Sequence, residues 1–304
     1  MEKHAYLIIA NRNFEQLQSL VTLLDDSRND IYILIDNKAK VDSLHLVVQH
    51  SQLKLVPRIN IYWGDFSQVQ AEIDLIKAAT KQGHYSFYHL LSGLDLPLAN
   101  QDYIHTFFDQ HIGENFLTYS AQVAQSDLEV RMMKHHLSKH YRDRRVFYRM
   151  FNKIEGKFLN LAANRHPSKI KHEIEFGSNW FSISHDLATA VVQSEQWITS
   201  TFSHGFLVDE LFIPAVINHA SANFKIYHAE KVHDKPDELQ GNLRYINWWD
   251  GSPYTWRSQD LSKLKAAKEM GHLFARKFDS SVDKEIITMV IDQLVKDPID
   301  NNND

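Results

Sequence analysis

Hydrophobic positions organise the first third of the chain into alternating strands and helices. Residues 4–10, HAYLIIA, form a short apolar run that reads as a buried strand. In 13–26, NFEQLQSLVTLLDD, residues Phe14, Leu17, Leu20, Val21 and Leu24 recur at helical spacing and mark one apolar face. Residues 30–36, DIYILID, read as a second buried strand ending in Asp36, and 59–63, INIYW, as a third. Over 66–83, Val69, Ile73, Ile76 and Lys77 are spaced to face a sheet, and Gly83 stops the helix. HYSFYHLLSG, 84–93, is a fourth strand. This order predicts an α/β fold with a mostly parallel central sheet flanked by helices. In such sheets ligands sit at the carboxyl ends of the strands. Those ends carry Ala10-Asn11, Asp36-Asn37, Trp63-Gly64 and Ser92-Gly93-Leu94-Asp95, the first candidate site.

The pattern changes between about 127 and 172. This stretch is dense in Arg, Lys and His around an aromatic–aliphatic stripe, and it reads as helices with a cationic outer face. Two readings stay open: a solvated helical insertion, or an acceptor-side or membrane-proximal surface with 131–149 as a peripheral membrane contact. Residues 175–193 return to strand and then helix, and PIDNNND after Asp297 is a polar tail. No internal repeat is visible.

Composition narrows the function classes. With 304 residues, 43% of them hydrophobic and 12% aromatic, the chain can bury the core of one large domain or two smaller ones. A net charge of −5 argues against nucleic-acid binding by bulk charge. The lack of cysteine excludes disulfides, zinc ribbons and thiol catalysis, and fits a reducing compartment. No apolar run approaches the roughly 20 residues of a membrane span. The start, Glu2-Lys3-His4, has no signal-peptide apolar region. The expectation is a cytoplasmic protein.

Candidate chemistry is concentrated late in the chain. No Walker loop, GxGxxG turn, GxSxG elbow or HExxH is present. The 18 histidines show no ligand-type spacing with carboxylates, so no metal site is expected from them. No Asp-x-Asp stands at a strand end, so an enzyme handling a nucleotide diphosphate would need another cation. PYTWRSQDL (253–261) and GHLFARKFD (271–279) offer Arg257, Arg276 and Lys277 beside aromatics. A guanidinium and an ammonium can stabilise a pyrophosphate leaving group, although surface cations at a helix end have the same appearance. Two acids, Asp209 and Glu210, interrupt the apolar stretch HGFLVDELFIPAVINHA (204–220).

These pieces, with HAYLIIANRNFEQLQSLVTLL, IYILIDNKA, WGDFSQVQAEIDLI, FYHLLSGLDLPL, FGSNWFSIS and RYINWWDGSPYTWRSQDL, run in one order from about residue 4 to 279. In that order the chain resembles the core-2/I-branching β-1,6-N-acetylglucosaminyltransferases, their relatives the peptide O-xylosyltransferases, and bacterial homologues. Region 115–172 shows little resemblance.

The resemblance implies a GT-A type nucleotide-sugar-binding fold in a single domain over 1–297. It divides into a nucleotide-binding half (1–115), a basic helical insertion (116–172) and a catalytic and acceptor half (173–297), followed by the polar tail 298–304. It implies an inverting glycosyltransferase with no metal or other cofactor. The donor would be a UDP-sugar, UDP-GlcNAc first, with UDP-xylose, UDP-glucose or UDP-galactose as alternatives. The family's catalytic base falls on Glu210. It would take a proton from an acceptor hydroxyl, and apolar neighbours should raise its pKa. Asp209 better suits a helix cap. The two diphosphate cations fall on Arg257 and Lys277. The uridine pocket falls on the backbone at Ala10, the Asp36 carboxylate and the Trp63 ring. Glycan-branching members carry tyrosine at the position of Trp63, so stacking survives and a hydroxyl contact does not. Trp248, with Trp249 beside it, would line the acceptor sugar, and Ser92 and Asp95 would lie near the donor sugar. If the helix runs through Pro214, the Glu210 carbonyl loses its i+4 partner. The sequence has no cysteine, and the anchor and stem of the animal enzymes are expected to be missing. That suggests a bacterial protein working on a cytoplasm-facing glycan, glycolipid or glycoprotein acceptor, possible contact with the inner membrane face included. A non-catalytic glycan- or nucleotide-binding protein is the reading of another class.

Overall fold

Strand β1, His4–Ala10, alternates its side chains between two apolar layers, and this sets the architecture. Tyr6, Ile8 and Ala10 join Leu17, Leu20, Val21 and Leu24 of helix α1 (Phe14–Leu24) on one side. Ala5 and Leu7 join Val69, Ile73 and Ile76 of helix α2 (Ser67–Gln82) on the other. The computed structural model describes residues 2–41, 44–121, 174–220 and 222–296, together with Leu128, Arg131 and Met132.

The central sheet has five strands. β3 (Gln52–Val56), β2 (Asn29–Ile35), β1 and β4 (Phe87–Ser92) run parallel, and a short strand, Ser182–Ser184, closes the edge antiparallel to β4. This is the mixed α/β, mostly parallel sheet flanked by helices that the sequence predicts. The registers Ala10↔Ile35 and Ile9↔Ser92 bring three strand ends to one edge. A second sheet crosses beside that edge: Arg244–Ile246 runs parallel to Phe274–Arg276, which runs antiparallel to β5 (Asp95–Pro97). Its register sets Arg276 directly opposite Asp95. Among the described residues, no helix is long and apolar enough to cross a membrane.

Three expectations need correction. The third strand is 52–56, not 59–63. An edge strand with Gln52 and Lys54 exposed carries a weak apolar signal, whereas INIYW owes its apolar residues to a loop. That loop is bonded to the end of β2: the Ile61 N–H donates to the Asp36 carboxylate at 3.3 Å, and the Asn37 N–H to the Ile59 carbonyl at 2.8 Å. Lys77 does not face the sheet; its ammonium pairs with Glu195 at 2.7 Å. The helical insertion does not begin at 116. Phe116 is buried and bridges to Ser182, and Tyr119–Ser120 pairs with Lys231–Val232. The rest of the basic region, with the 131–149 membrane contact, lies outside the described residues apart from Leu128, Arg131 and Met132, as does the tail 298–304.

A buried polar column starts at the amino ends of β1 and β2. His4, His89 and His105 pack ring against ring, with His4 and His105 stacked at 4.1 Å. His89 bonds Ser182 through Nδ1 at 2.7 Å, and His105 bonds Asn29 through Nε2 at 2.9 Å. The fully buried guanidinium of Arg244 donates to Ser182 Oγ at 2.8 Å and to the Phe181 carbonyl at 2.5 Å. Burial pushes Arg244 down to about 9.

Candidate functional site

A cavity of about 750 Å³ opens where the parallel strands end. Of the residues singled out from sequence, Ala10, Asp36, Trp63, Ser92, Asp209, Glu210, Trp248, Arg276 and Lys277 line it. Asp95, Trp249 and Arg257 do not.

The strand ends build one wall. The Ala10 carbonyl accepts the Asp36 N–H at 2.9 Å, tying β1 to β2 at their last residues. The Asp36 carboxylate accepts the backbone N–H of Lys38 at 3.0 Å, which holds it at the cavity edge. Trp63 stands on the rim, 61% exposed, with its ring edge-on to Phe206 at 5.7 Å. Gly64 follows with φ +72°, and a Cβ there would come within 2.5 Å of the Phe206 ring. Glycine is therefore required for the turn that carries Trp63.

The second sheet builds the cationic wall. Asp95 is fully buried and accepts the Ser92 N–H and the Ser92 hydroxyl, each at 2.8 Å. It also accepts Arg276 at 2.8 Å. Arg276 donates to Ser92 Oγ as well, and its guanidinium lies 4.4 Å from the centre of the Trp180 ring. Asp95 thus acts from behind, orienting Ser92 and Arg276. Lys277 follows Arg276 into the cavity, and burial, then Arg12 and Arg276, push its ammonium down from the usual lysine range. Among the described residues its ammonium has no hydrogen-bond or ion-pair partner. Arg257 is exposed, and its backbone N–H donates to Asp260 at 3.2 Å. The lining cations beside Lys277 include Arg276, its chain neighbour, and Arg12. Trp248 is 39% exposed on the rim, whereas Trp249 packs against Tyr245 at 5.5 Å, at the edge of the core that holds the buried Trp256 and Phe278.

The two acids of VDEL occupy a 3-10 turn, Val208–Glu210, and Leu211 separates it from the helix Phe212–His219. Pro214 lies in that helix, and the Glu210 carbonyl, deprived of an i+4 donor, accepts the Gly177 N–H at 2.8 Å. The expected vacancy is filled by a neighbouring segment, and the turn is held rather than loosened. Glu210 pairs through Oε2 with Arg131 at 2.6 Å. Burial raises its carboxyl above the usual range, and Arg131 opposes that rise.

Asp209 is not the helix cap that sequence suggests. It makes no capping bond; its Oδ2 accepts Gln68 at 3.2 Å and Asn179 at 3.3 Å. Burial, then the neighbouring Glu210, raises it to about 7.

Sequence reasoning missed Arg12, Lys38, Gln68, Glu72, Arg131, Asn179 and Trp180, all on the lining. A signal existed for Glu72: it falls three residues after Val69 and one before Ile73, on the apolar face of α2. None existed for Arg131, which comes from the basic stretch and reaches Glu210 across 79 positions. Among the described residues, no group of three or more His, Cys, Asp or Glu is placed to hold a metal ion.

Comparison with known proteins gives the context. The model of a family described as Core-2/I-Branching enzyme matches residues 4–277. Xylosyltransferase 2 of Rattus norvegicus is 22% identical over 316 residues, 93% of this chain and 32% of that protein. Xylosyltransferase 1 of Homo sapiens is 22% identical over 313 residues, 92% of this chain and 29% of that protein. The xylosyltransferase of Ciona intestinalis is 19% identical over 297 residues. The chain spans about a third of the length of these curated relatives.

Proposed function

The chain belongs to the Core-2/I-branching enzyme family, and from that premise we propose that it is an inverting, metal-independent glycosyltransferase moving a sugar, GlcNAc first, from a UDP-sugar to a hydroxyl of a glycan acceptor. One observation carries the reading. A single cavity joins a partly buried carboxyl of raised pKa, Glu210, with the cations Arg276 and Lys277 and the aromatic rims Trp63 and Trp248.

The chemistry follows from these groups. Uridine stacks on Trp63, with Asp36 in reach of its hydroxyls. The diphosphate lies against Lys277 and Arg276. An acceptor hydroxyl approaches the sugar's C1 from the side opposite UDP. Arg131 holds Glu210 by Oε2, so Oε1 takes the proton as the acceptor oxygen bonds C1. The bond from C1 to the diphosphate oxygen breaks, UDP leaves with the electron pair, and the two cations offset the added charge. Arg276 is already oriented by Asp95, so its position costs little to organise.

A second donor, UDP-xylose, is favoured by the relatives, which are xylosyltransferases by name. The acceptor glycan, glycolipid or glycoprotein, at the inner membrane face, is proposed at the level of class only. The test is a thermal-shift and hydrolysis screen across UDP-GlcNAc, UDP-xylose, UDP-glucose and UDP-galactose, with and without EDTA. Stabilisation and slow hydrolysis by one donor, unchanged in EDTA, is the expected result. Turnover abolished by EDTA would remove the metal-free mechanism.

A further inference from the structure

Six buried side-chain polar atoms among the described residues have no hydrogen-bond partner, and two of them, Glu72 Oε2 and Asp209 Oδ1, belong to residues of the cavity wall. Glu72 is 1% exposed and Asp209 6%. A buried oxygen without a partner costs stability, and native proteins satisfy nearly all such groups. Two at one cavity wall call for a ligand that completes them.

The protein's own donors nearby are committed elsewhere. Gln68 and Asn179 both serve the other oxygen of Asp209, and Arg131 serves Glu210. Burial, then Asp209, raises the Glu72 carboxyl well above the usual range, which favours its neutral form carrying an O–H. Asp209 Oδ2 already accepts twice, which leaves Oδ1 to meet a hydroxyl. A donor beside an acceptor matches hydroxyls, which do both. Glu72 lies on α2, which starts just after the Trp63 turn, and Asp209 immediately precedes Glu210. Both residues share one cavity with Glu210 and Lys277, where the proposed reaction places the donor's sugar.

We propose that Glu72 and Asp209 form a carboxyl pair that hydrogen-bonds hydroxyls of the donor's transferred sugar, so that they help select which UDP-sugar binds. This rests on the glycosyltransferase reading above.

The test is calorimetric titration of UDP and of the four UDP-sugars into wild type, Glu72→Met, Glu72→Gln and Asp209→Asn, with thermal unfolding of each. Expected in Glu72→Met is a UDP affinity within twofold of wild type and at least a tenfold loss for the UDP-sugar that wild type binds best. Its melting temperature should be equal or higher, because an apolar side chain removes the unsatisfied oxygen. Glu72→Gln, which keeps a neutral donor, should recover to within about threefold. Should Glu72→Met not fold, Asp209→Asn carries the test, with at least a fivefold loss for the UDP-sugar alone. Unchanged UDP-sugar affinity, or parallel loss of UDP and UDP-sugar, overturns the pair. If wild type binds no UDP-sugar, the glycosyltransferase reading falls and this proposal with it. If wild type turns over a UDP-sugar, Glu210→Gln stops it and Glu72→Met binds normally, only the carboxyl pair is wrong.

Discussion

The Gly177 N–H donates to the Glu210 carbonyl at 2.8 Å, taking the place of the donor that Pro214 lacks. The contact is close: a Cβ on Gly177 would stand 2.8 Å from Pro214 Cγ. Gly177→Ala should therefore cost about 1–3 kcal/mol through overpacking against a rigid ring. It should lower kcat more than UDP affinity, because the turn that aims Glu210 shifts. Gly177→Ala/Pro214→Ala should regain most of the lost stability in denaturant titration. Equal loss in the single and double variants would separate the two residues.

Glu210→Gln should lower turnover by about 10²–10⁴-fold, the usual worth of general-base help. UDP affinity should stay near wild type, because the amide keeps the size of the side chain and removes only the base. Single-turnover kinetics with saturating UDP-sugar measure the first quantity, and calorimetry the second.

Arg131 sets the pH at which that base works. Burial raises the Glu210 carboxyl and Arg131 holds it back. A base acts deprotonated, so activity falls as pH drops through its pKa. Removing the cation in Arg131→Met raises that pKa further, and the acid limb of kcat/KM should move to higher pH. A limb that stays in place or moves to lower pH would show that Glu210 is not the titrating base.

Lys277 and Arg276 should respond differently to removal. Lys277→Met removes an ammonium with no hydrogen-bond or ion-pair partner among the described residues, so UDP affinity should fall roughly tenfold with little change in melting temperature. Arg276→Met also leaves Asp95, fully buried, without its ion-pair partner at 2.8 Å. That loss should cost about 3–5 kcal/mol of stability in addition to affinity. Thermal unfolding of both variants, with and without UDP, separates the roles. Arg257→Met is the control, with UDP affinity near wild type, because its exposed side chain is off the cavity lining.

The buried histidines should make the fold acid-sensitive. Burial lowers His105 and His272 to about 4, and lowers His4 and His89 as well. Their unfolded pKa is about 6.5. Below that the unfolded chain binds protons the native state refuses, so their contribution is present above pH 6.5 and is lost as pH falls toward 4. Asp209, raised to about 7, works in the opposite direction over much of that window. The contribution of one histidine is therefore read as a difference. Between pH 7.5 and 4.5, urea unfolding of His105→Gln should lose less stability than wild type, by up to about 3 kcal/mol.

Much of the fold was legible in local patterns. The face Leu17, Leu20, Val21 and Leu24 of α1, and the double-sided burial of 4–10 and 30–35, follow from periodicity and apolar run length alone. The edge strand 52–56 was not, because an edge needs only one covered face and QLKLV carries two polar residues in five. INIYW carried a stronger apolar signal for a different reason: its side chains cover the end of the sheet and the cavity mouth.

By itself the sequence determined the strand–helix alternation, the parallel sheet, and an edge of strand ends bearing Ala10, Asp36 and Ser92. It also singled out Asp209 and Glu210 as acids in an apolar stretch, and Arg257, Arg276 and Lys277 as candidate cations. Only the tertiary structure decided which groups meet. Arg131 faces Glu210, Arg276 rather than Arg257 stands with Lys277 on the lining, Asp209 turns from cap to buried acid, and Glu72 joins it at the cavity. The physical reason is that helix and strand periodicity specify which face of an element is buried. A buried charge, by contrast, is settled by partners brought from distant segments, and nothing in the local spacing of a chain names them.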